Sequence, residues 1–290
     1  MRWTRGSRSE DLEDRRDEGA FSGPIGGGLQ IGLGGAVVLL LLSLATGQNL
    51  FEVFMPAGGG PVAGPSPARA PGPSQPRPHS PQEDERAEFV SFVLDDVQGV
   101  WQKEMPRLGH QYQNAKLVLF RDQVASGCGY AQSAMGPFYC PMDQKVYVDL
   151  GFYDELKTRF GASGDFAQAY VFAHEIGHHV QHMLGLDAQV RQMQERYPRQ
   201  AGEYSIRLEL QADCLAGVWG HSTAQRNILE QGDIEEGLNG TAAVGDDRIQ
   251  KTMTGHVNPE TWTHGSSKQR VEWFHKGLQS GNVKECDTFR

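Results

Sequence analysis

The spacing of apolar positions changes along the 290-residue chain and divides it into parts with different predicted structures. Residues 85–105 carry apolar side chains every three or four positions, which predicts an amphipathic helix. Residues 116–120 and 145–150 are short runs that alternate or are continuously β-branched, which predicts strands. After Phe152 the spacing is helical throughout. A small sheet near the front with mostly helices behind it is typical of an α+β fold.

The N-terminal part contains two segments of contrasting composition. Residues 1–18 hold five arginines and six acidic residues with almost nothing apolar, so we expect a disordered segment over residues 1–27. Residues 19–51 contain no charged side chain. Their centre is rich in Leu and Val and reaches the roughly 20 residues that cross a bilayer core, which predicts a transmembrane helix over residues 28–50.

The charges around this apolar segment predict its orientation. The five upstream arginines favour a cytoplasmic N-terminus, which makes the chain a single-pass protein of the cytoplasmic membrane with its remainder outside. A cleaved signal peptide is the alternative, because residues 43–45 (SLA) resemble a cleavage site, but the leading segment is unusually long and acidic. Nine of the fifteen prolines lie in residues 55–81, which predicts an unstructured linker over residues 51–82 and a folded domain over residues 83–290.

Charge and cysteine content narrow the class of protein. The formal net charge of −9 argues against a nucleic-acid partner, which would require a basic surface. Cys128 and Cys140 bracket a glycine-containing turn, and Cys214 and Cys286 would join a helix to the C-terminus. Two such disulfides suit an oxidising, extracytoplasmic compartment, although other pairings and free buried thiols remain open. A cysteine zinc site is disfavoured because the chain has no CxxC spacing.

Residues 171–184, VFAHEIGHHVQHML, contain four histidines and one glutamate within nine positions. His174 and His178 are four residues apart, so they lie on the same face of a helix. Two imidazoles at this spacing can bind one Zn²⁺ ion, while Glu175 reaches the water molecule that the zinc activates. The pattern therefore predicts a zinc site with His174 and His178 as ligands and Glu175 as general base.

The flanking residues predict that the motif lies in the middle of a helix. Asp165 and Gln168 have the spacing of a capping box, and Gly185 has the position of a helix terminator. His182 is one further turn along and borders the predicted site. His179 points away from the ligands and is expected in a supporting or solvated position.

Catalytic zinc commonly has three protein ligands and one open position, so a third ligand must come from elsewhere in the chain. Glu209 lies on a second predicted helix, residues 204–219, and is our candidate. Asp213 is one turn further along and would accept a hydrogen bond from the outer nitrogen of a ligating histidine. The alternative is an ordinary charged helix face, with Arg207 or Arg226 as partners.

Five segments carry a resemblance to a known family: MRW…EDRR, CGYAQSAMGPFYCPMDQKVYVDL, HEIGHHVQ, ELQADCLAGVW and THGSSKQRVEWF. The chain resembles the bacterial neutral zinc metallopeptidases, single-pass membrane proteins of the zincin group, over residues 1–18 and most of 86–290. The resemblance implies a zincin-like domain and a zinc-dependent peptidase that acts outside the cytoplasmic membrane. It also implies that the ligands are His174, His178 and a downstream glutamate that matches Glu209.

A peptidase of this kind needs a group that stabilises the negative carbonyl oxygen. His264 is our candidate, because it precedes a helix start marked by Ser266 and Gln269. Tyr204 is a competing candidate, and an ordinary surface histidine is the alternative for His264. The strand over residues 145–150 is expected to bind an extended peptide along its edge, unless it lies inside the sheet.

The sequence thus predicts a membrane-anchored zinc peptidase with a peptide or protein substrate. One alternative is a weakly active or inactive zincin-fold protein that binds peptides in the cell envelope. The presence of Glu175 argues against it, because a binding protein has no need of that carboxylate. The other alternative is a zinc hydrolase that acts on cell-wall cross-links.

Overall fold

The computed structural model describes residues 1–6, 8–18, 79–132 and 136–290. The described part is mixed α+β and mostly helical, which confirms the predicted class. Its strands are β1 (Leu12–Asp14), β2 (Lys116–Phe120), β3 (Gln123–Ser126), β4 (Gly129–Gln132), β5 (Phe138–Cys140) and β6 (Lys145–Asp149). Its α-helices are α1 (Pro81–Arg107), α2 (Phe152–Thr158), α3 (Asp165–Met183), α4 (Leu186–Arg196), α5 (Ala201–Gln225), α6 (Asp233–Ala243), α7 (Asp246–Thr254) and α8 (Ser267–Ser280). Short 3₁₀ helices cover Pro198–Gln200, Pro259–Thr261 and Val283–Cys286.

Four strands form one sheet in the order β1-β2-β6-β5, and β3 pairs with β4 in a separate hairpin. β1, β2 and β6 are parallel, whereas β5 runs antiparallel to β6. The expectation that residues 145–150 form an exposed edge is therefore wrong, because β2 and β5 occupy the two sides of β6. In the described part of the chain, the edge strand next to β6 is β5.

The N-terminal segment belongs to this fold, so the prediction of disorder is wrong for residues 1–6 and 8–18. Met1 is 5% exposed in the main core, and the Trp3 ring packs edge-on against Phe89 with 5.4 Å between centroids. Asp11 forms a 2.7 Å ion pair with Lys116. The few apolar residues and the many charges of this segment find their partners in the domain, which its own composition cannot reveal.

This packing also corrects the predicted orientation. β1 comes before residues 28–50 in sequence and β2 comes after them, yet the two strands are hydrogen-bonded neighbours in one sheet. A single crossing over residues 28–50 would put these strands on opposite sides of the membrane. The predicted transmembrane helix and most of the predicted linker lie outside the described residues. Of the helices in the described ranges, none has the length and apolar character that a membrane span requires.

The helical part begins at Pro81, where Ser80 and Glu83 form a capping box, so the folded domain starts slightly before the predicted boundary. α3 packs against α5 and α6. A Cβ atom on Gly177 would lie 3.0 Å from the carbonyl oxygen of Ala212, so glycine allows α3 and α5 to approach closely. On the other side of α5, a Cβ on Gly277 of α8 would overlap the Cys214 carbonyl at 2.0 Å. The glycines at these two positions therefore allow α3, α5 and α8 to pack closely together.

Both predicted disulfide pairings are confirmed, and all four cysteines are bonded. Cys128–Cys140 joins the loop at β3–β4 to β5. Cys214–Cys286 fixes the C-terminal 3₁₀ helix to α5, immediately after Asp213. The second disulfide therefore stabilises the helix that carries the candidate third ligand.

Candidate metal centre

The HEIGH sequence lies in the middle of α3, which runs from Asp165 to Met183. The predicted capping box is wrong, because the N-cap residue is Gly164, and the backbone N–H of Phe166 donates a 3.3 Å hydrogen bond to Glu236 Oε2. The Asp165 carboxylate instead accepts a 2.6 Å hydrogen bond from the α-amino group of Met1. The predicted termination is confirmed, since Gly185 follows the last turn in the left-handed region with φ 73°.

His174, His178 and Glu209 each present a possible ligand atom, and these atoms lie within 4.8 Å of one another. Glu209 Oε2 is 3.2 Å from His174 Nε2, and Glu209 Oε1 is 3.5 Å from His178 Nε2. Two donors about 2.1 Å from a tetrahedral zinc ion are roughly 3.4 Å apart. The donor set and its spacing therefore fit a zinc ion held by two imidazoles and one carboxylate.

Asp213 orients the first histidine. Its carboxylate is fully buried, and Oδ1 lies 2.9 Å from His174 Nδ1. Asp213 also accepts hydrogen bonds from the Tyr170 hydroxyl and from Nε and Nη2 of Arg270. Burial disfavours its charge, but Arg270 and His174 outweigh this effect and lower the pKa of Asp213. An ionised Asp213 keeps the His174 Nδ1 proton on its side of the ring and leaves Nε2 for a metal.

Gln181 orients the second histidine. Its amide nitrogen donates hydrogen bonds to the Leu208 carbonyl at 2.7 Å and to Gln211 Oε1 at 3.0 Å. Its oxygen is thereby turned towards His178, whose Nδ1 lies 2.9 Å away. Since this oxygen can only accept, His178 carries a proton on Nδ1, and its Nε2 atom is left to bind a metal beside Glu209. The two histidines are thus oriented by chemically different partners, one ionic and one neutral.

Burial and neighbouring charges shift the pKa values of His174 and Glu209 in opposite directions. Burial disfavours the imidazolium form of His174, but Asp213 and Glu209 outweigh it and raise the pKa of His174 to about 9. Burial also opposes the charge of Glu209, yet the two histidines hold the pKa of this carboxyl well below its ordinary value. A zinc ion must therefore displace a proton from His174 at neutral pH.

Glu175 lies beside the three candidate ligands, is 8% exposed and lines the same cleft. Burial raises the pKa of Glu175 above its ordinary value. A carboxylate with a raised pKa is better able to accept a proton near neutral pH. The environment of Glu175 is therefore suited to a general base.

His264 lines the cleft as well, on the loop before α8. Asp246 anchors this loop, because Oδ2 accepts the backbone N–H groups of Thr263, His264 and Gly265. Its Oδ1 lies 3.1 Å from His264 Nδ1. Burial opposes the charge of His264, but Asp246 and Glu209 outweigh it and raise the pKa of His264. The raised pKa favours the imidazolium form, in which Nδ1 donates to Asp246 and Nε2 is able to donate a second hydrogen bond.

The other candidates lie away from the cleft in the described structure. The Tyr204 hydroxyl is 3.3 Å from Gln200 Oε1 on its own helical segment. His182 Nδ1 is 2.9 Å from Asp187. His179 is fully buried against the sheet, where its ring nitrogens contact the Tyr139 hydroxyl and the Gln113 carbonyl. His179 therefore couples α3 to the edge strand β5.

Sequence reasoning missed four residues that support the site: Tyr170, Gln181, Asp246 and Arg270. The i, i+3 spacing from His178 to Gln181 is a local signal that could have identified it. Arg270 is 57 positions from Asp213, so only the fold reveals that pair. The site as a whole opens into a cleft of about 470 Å³ that also borders β5.

Comparison with known proteins gives a family match over nearly the whole chain. The pattern of the family described as "Putative neutral zinc metallopeptidase" matches residues 1–289. The chain is 44% identical over 291 residues to "Uncharacterized protein YpfJ" of Escherichia coli K12, covering 100% of this chain and 99% of that protein. It is 46% identical over 206 residues to "Uncharacterized protein Rv2575" of Mycobacterium tuberculosis H37Rv, covering 67% and 68% of the two chains. No solved structure matches the chain significantly.

Proposed function

We propose that this chain, which belongs to the neutral zinc metallopeptidase family, hydrolyses peptide bonds with a zinc ion held by His174, His178 and Glu209. The observation that carries the proposal is the convergence of these three donors beside Glu175 in one open cleft. Three protein ligands leave a coordination position for a reactant, as is typical of catalytic zinc sites. The motif helix and the adjacent edge strand support a zincin-like assignment of the domain.

Zinc, when bound, stabilises negative charge on a carbonyl oxygen and makes water more acidic. Glu175 accepts a proton from the attacking water molecule as the water oxygen bonds to the scissile carbonyl carbon. Glu175 then gives this proton to the amine nitrogen as the C–N bond breaks. His264, held by Asp246, donates a hydrogen bond to the negative carbonyl oxygen. Asp213 and Gln181 keep the two histidines in the required tautomer.

The substrate backbone is proposed to lie along β5. Pro137, Phe138 and Tyr139 line the cleft, and β5 is the outermost strand on this side of the described sheet. An edge strand can bind an extended peptide through backbone hydrogen bonds. The contact between Tyr139 and His179 holds this edge at a fixed position relative to the motif helix.

We also propose an extracytoplasmic location, supported by the two disulfides. Residues 28–50 remain the proposed site of membrane attachment, with residues 1–18 and the domain on the same side. Single cysteines introduced in place of the exposed residues Arg5 and Arg290 should react identically with a membrane-impermeant thiol reagent on intact cells. Opposite responses would contradict the packing of β1 against β2.

The peptidase proposal is tested with Glu175→Gln. Loss of the general base should lower turnover of a peptide substrate by about 10²–10⁴-fold while zinc content stays unchanged. Glu203→Gln is the matched control, because Glu203 is an exposed residue of α5 that pairs with Arg207, and it should retain full activity. A zinc-loaded wild-type protein that binds peptides without cleaving them would instead support the envelope-binding alternative. Parallel assays on casein and on peptidoglycan fragments separate a peptidase from a cell-wall hydrolase.

A further inference from the structure

The cleft continues beyond the metal centre into a region lined by apolar side chains. Val171 precedes His174 by three residues and Glu175 by four, so it lies on the same face of α3, one turn towards the N-terminus. Apolar side chains from three other parts of the fold line the same cleft. We call this set the apolar wall, and it consists of Phe152, Phe160, Val171, Val244, Ile249 and Met253.

The apolar wall is held in place by contacts outside the cleft. Ile249 and Met253 are one turn apart on α7, so both face the same way. Nη2 of Arg248 donates a 2.5 Å hydrogen bond to the carbonyl oxygen of Phe160, which fixes α7 to the end of α2. Val171 at the base is 6% exposed, whereas Met253 at the rim is 61% exposed. The wall therefore forms a recess that is closed at its base and open to solvent at its rim.

Two charged residues lie at the border of this recess and neutralise each other. Arg159 and Glu155 are one helical turn apart, and Nη1 of the arginine is 3.4 Å from Oε2 of the glutamate. The Arg159 guanidinium also lies 5.8 Å from the centre of the Phe160 ring. Since both charges have partners, this border offers no net charge to a charged ligand. The recess is therefore suited to an uncharged, apolar group.

The distance from the metal centre identifies what would occupy the recess. One helical turn separates Val171 from His174 and Glu175 by about 5.4 Å along α3. Successive residues of an extended peptide are about 3.3–3.6 Å apart. A peptide whose scissile carbonyl lies at the three candidate ligands thus brings the side chain of an adjacent residue to the apolar wall.

We propose that the apolar wall is a specificity subsite, resting on the proposed peptidase function, that binds a large apolar side chain next to the scissile bond. Leucine, phenylalanine and methionine fill such a recess and displace water from it. One methylene group in an apolar pocket changes selectivity by about tenfold or more. A leucine peptide should therefore be preferred over its alanine counterpart by at least about tenfold, and aspartate or lysine should be disfavoured further.

The test measures binding separately from cleavage. Zinc-loaded Glu175→Gln protein is titrated with fluorescent peptides that differ at one position, scanned along the peptide, and binding is followed by anisotropy. We expect leucine and phenylalanine to strengthen binding at one position by about tenfold or more over alanine. Met253→Lys in the same background should reduce this preference and improve binding of the aspartate peptide. Met142→Lys is the matched control, because Met142 is 77% exposed on the β5–β6 turn, outside the cleft.

The outcomes distinguish this subsite from the proposed activity. Equal binding of the leucine, alanine and aspartate peptides, or an equal effect of Met253→Lys and Met142→Lys, would overturn the subsite. Wild-type protein that cleaves peptides with no apolar preference, as mapped by mass spectrometry of a peptide mixture, would overturn it as well. Apolar-selective binding supports the subsite even where the wild-type protein fails to cleave, a result that would refute only the peptidase proposal.

Discussion

Asp213 has two roles that substitution can separate: it orients His174 for metal binding, and it pairs with the buried Arg270. Replacement of Asp213 by asparagine tests both. Asp213 is fully buried and accepts hydrogen bonds from His174, Tyr170 and two nitrogens of Arg270. Asparagine removes the negative charge and leaves Arg270, which is 3% exposed, without its hydrogen-bonded counter-ion. Breaking a buried ion pair in this way costs about 3–5 kcal/mol of unfolding free energy. A domain of this size shifts by about 2–4 °C per kcal/mol, so the melting temperature should fall by about 6–20 °C.

The same change should weaken zinc binding for a different reason. His174 loses the carboxylate that fixes its tautomer, and loss of such a partner typically lowers metal affinity by about 10–100-fold. The double variant Asp213→Asn with Arg270→Met removes the unpaired buried charge as well. It should recover most of the lost stability, because a buried ion pair can often be replaced by apolar groups. Its zinc affinity should stay low, since no carboxylate returns to His174.

Calorimetric unfolding and competition with a chromogenic zinc chelator measure the two effects. Glu203→Gln serves as control, since its exposed pair with Arg207 contributes at most about 1 kcal/mol. Two results would refute the reasoning. One is an Asp213→Asn protein that melts within 1 °C or so of the wild type. The other is a double variant in which wild-type zinc affinity returns together with stability.

Three further predictions concern packing, metal and pH. Gly177→Val should lower the unfolding free energy by about 1–3 kcal/mol and should also lower zinc affinity, because the new side chain meets the Ala212 carbonyl. Gly99→Ala is the control in the same melting assay, and it should not destabilise α1 because its Cβ meets no atom within 4 Å. Zinc at 100 times its Kd should raise the unfolding free energy by about 2.7 kcal/mol, and a chelator should reverse this shift in calorimetry. Burial opposes the charge of Asp14, but Arg16 outweighs it and lowers the pKa of Asp14 to about 2. The ionised Asp14 carboxylate therefore stabilises the packing of residues 8–18 above pH about 4, and this stabilisation is lost as the pH falls towards 2. Amide hydrogen exchange in β1 should accelerate over that pH range.

Residues within one helix were predictable because their spacing fixes their geometry. His174 and His178 are one helical turn apart, and the structure places their ligand atoms around one point with Glu209, while Glu175 lines the same cleft. Gly185, and the capping box of Ser266 with Gln269, marked helix boundaries for the same local reason. The helix start at Asp165 was misjudged, since the Met1 amino group engages that carboxylate from 164 positions away.

Features that depend on distant partners were not predictable from spacing. The composition of residues 1–18 predicts disorder, because the segment has too few apolar residues to form a core of its own. In the structure, Met1, Trp3 and β1 pack on surfaces formed by α1 and β2. Likewise, no local pattern indicated that Arg270 would pair with Asp213. The pair forms because α8 packs closely against α5 at Gly277, which is a contact between distant parts of the sequence. The position of β6 inside the sheet depended on the short strand β5, which has only three residues and a weak pattern.

The proposed zinc site is tested by the zinc content of the purified 290-residue chain, compared with variants of two of its three candidate ligands. We expect one zinc ion per wild-type chain and per Glu175→Gln chain. Bound zinc should be lost in Glu209→Gln and in His178→Ala, with peptide hydrolysis lost in parallel. Undiminished zinc in both ligand variants, or a wild-type chain that hydrolyses peptides equally well after complete removal of metal, would contradict it.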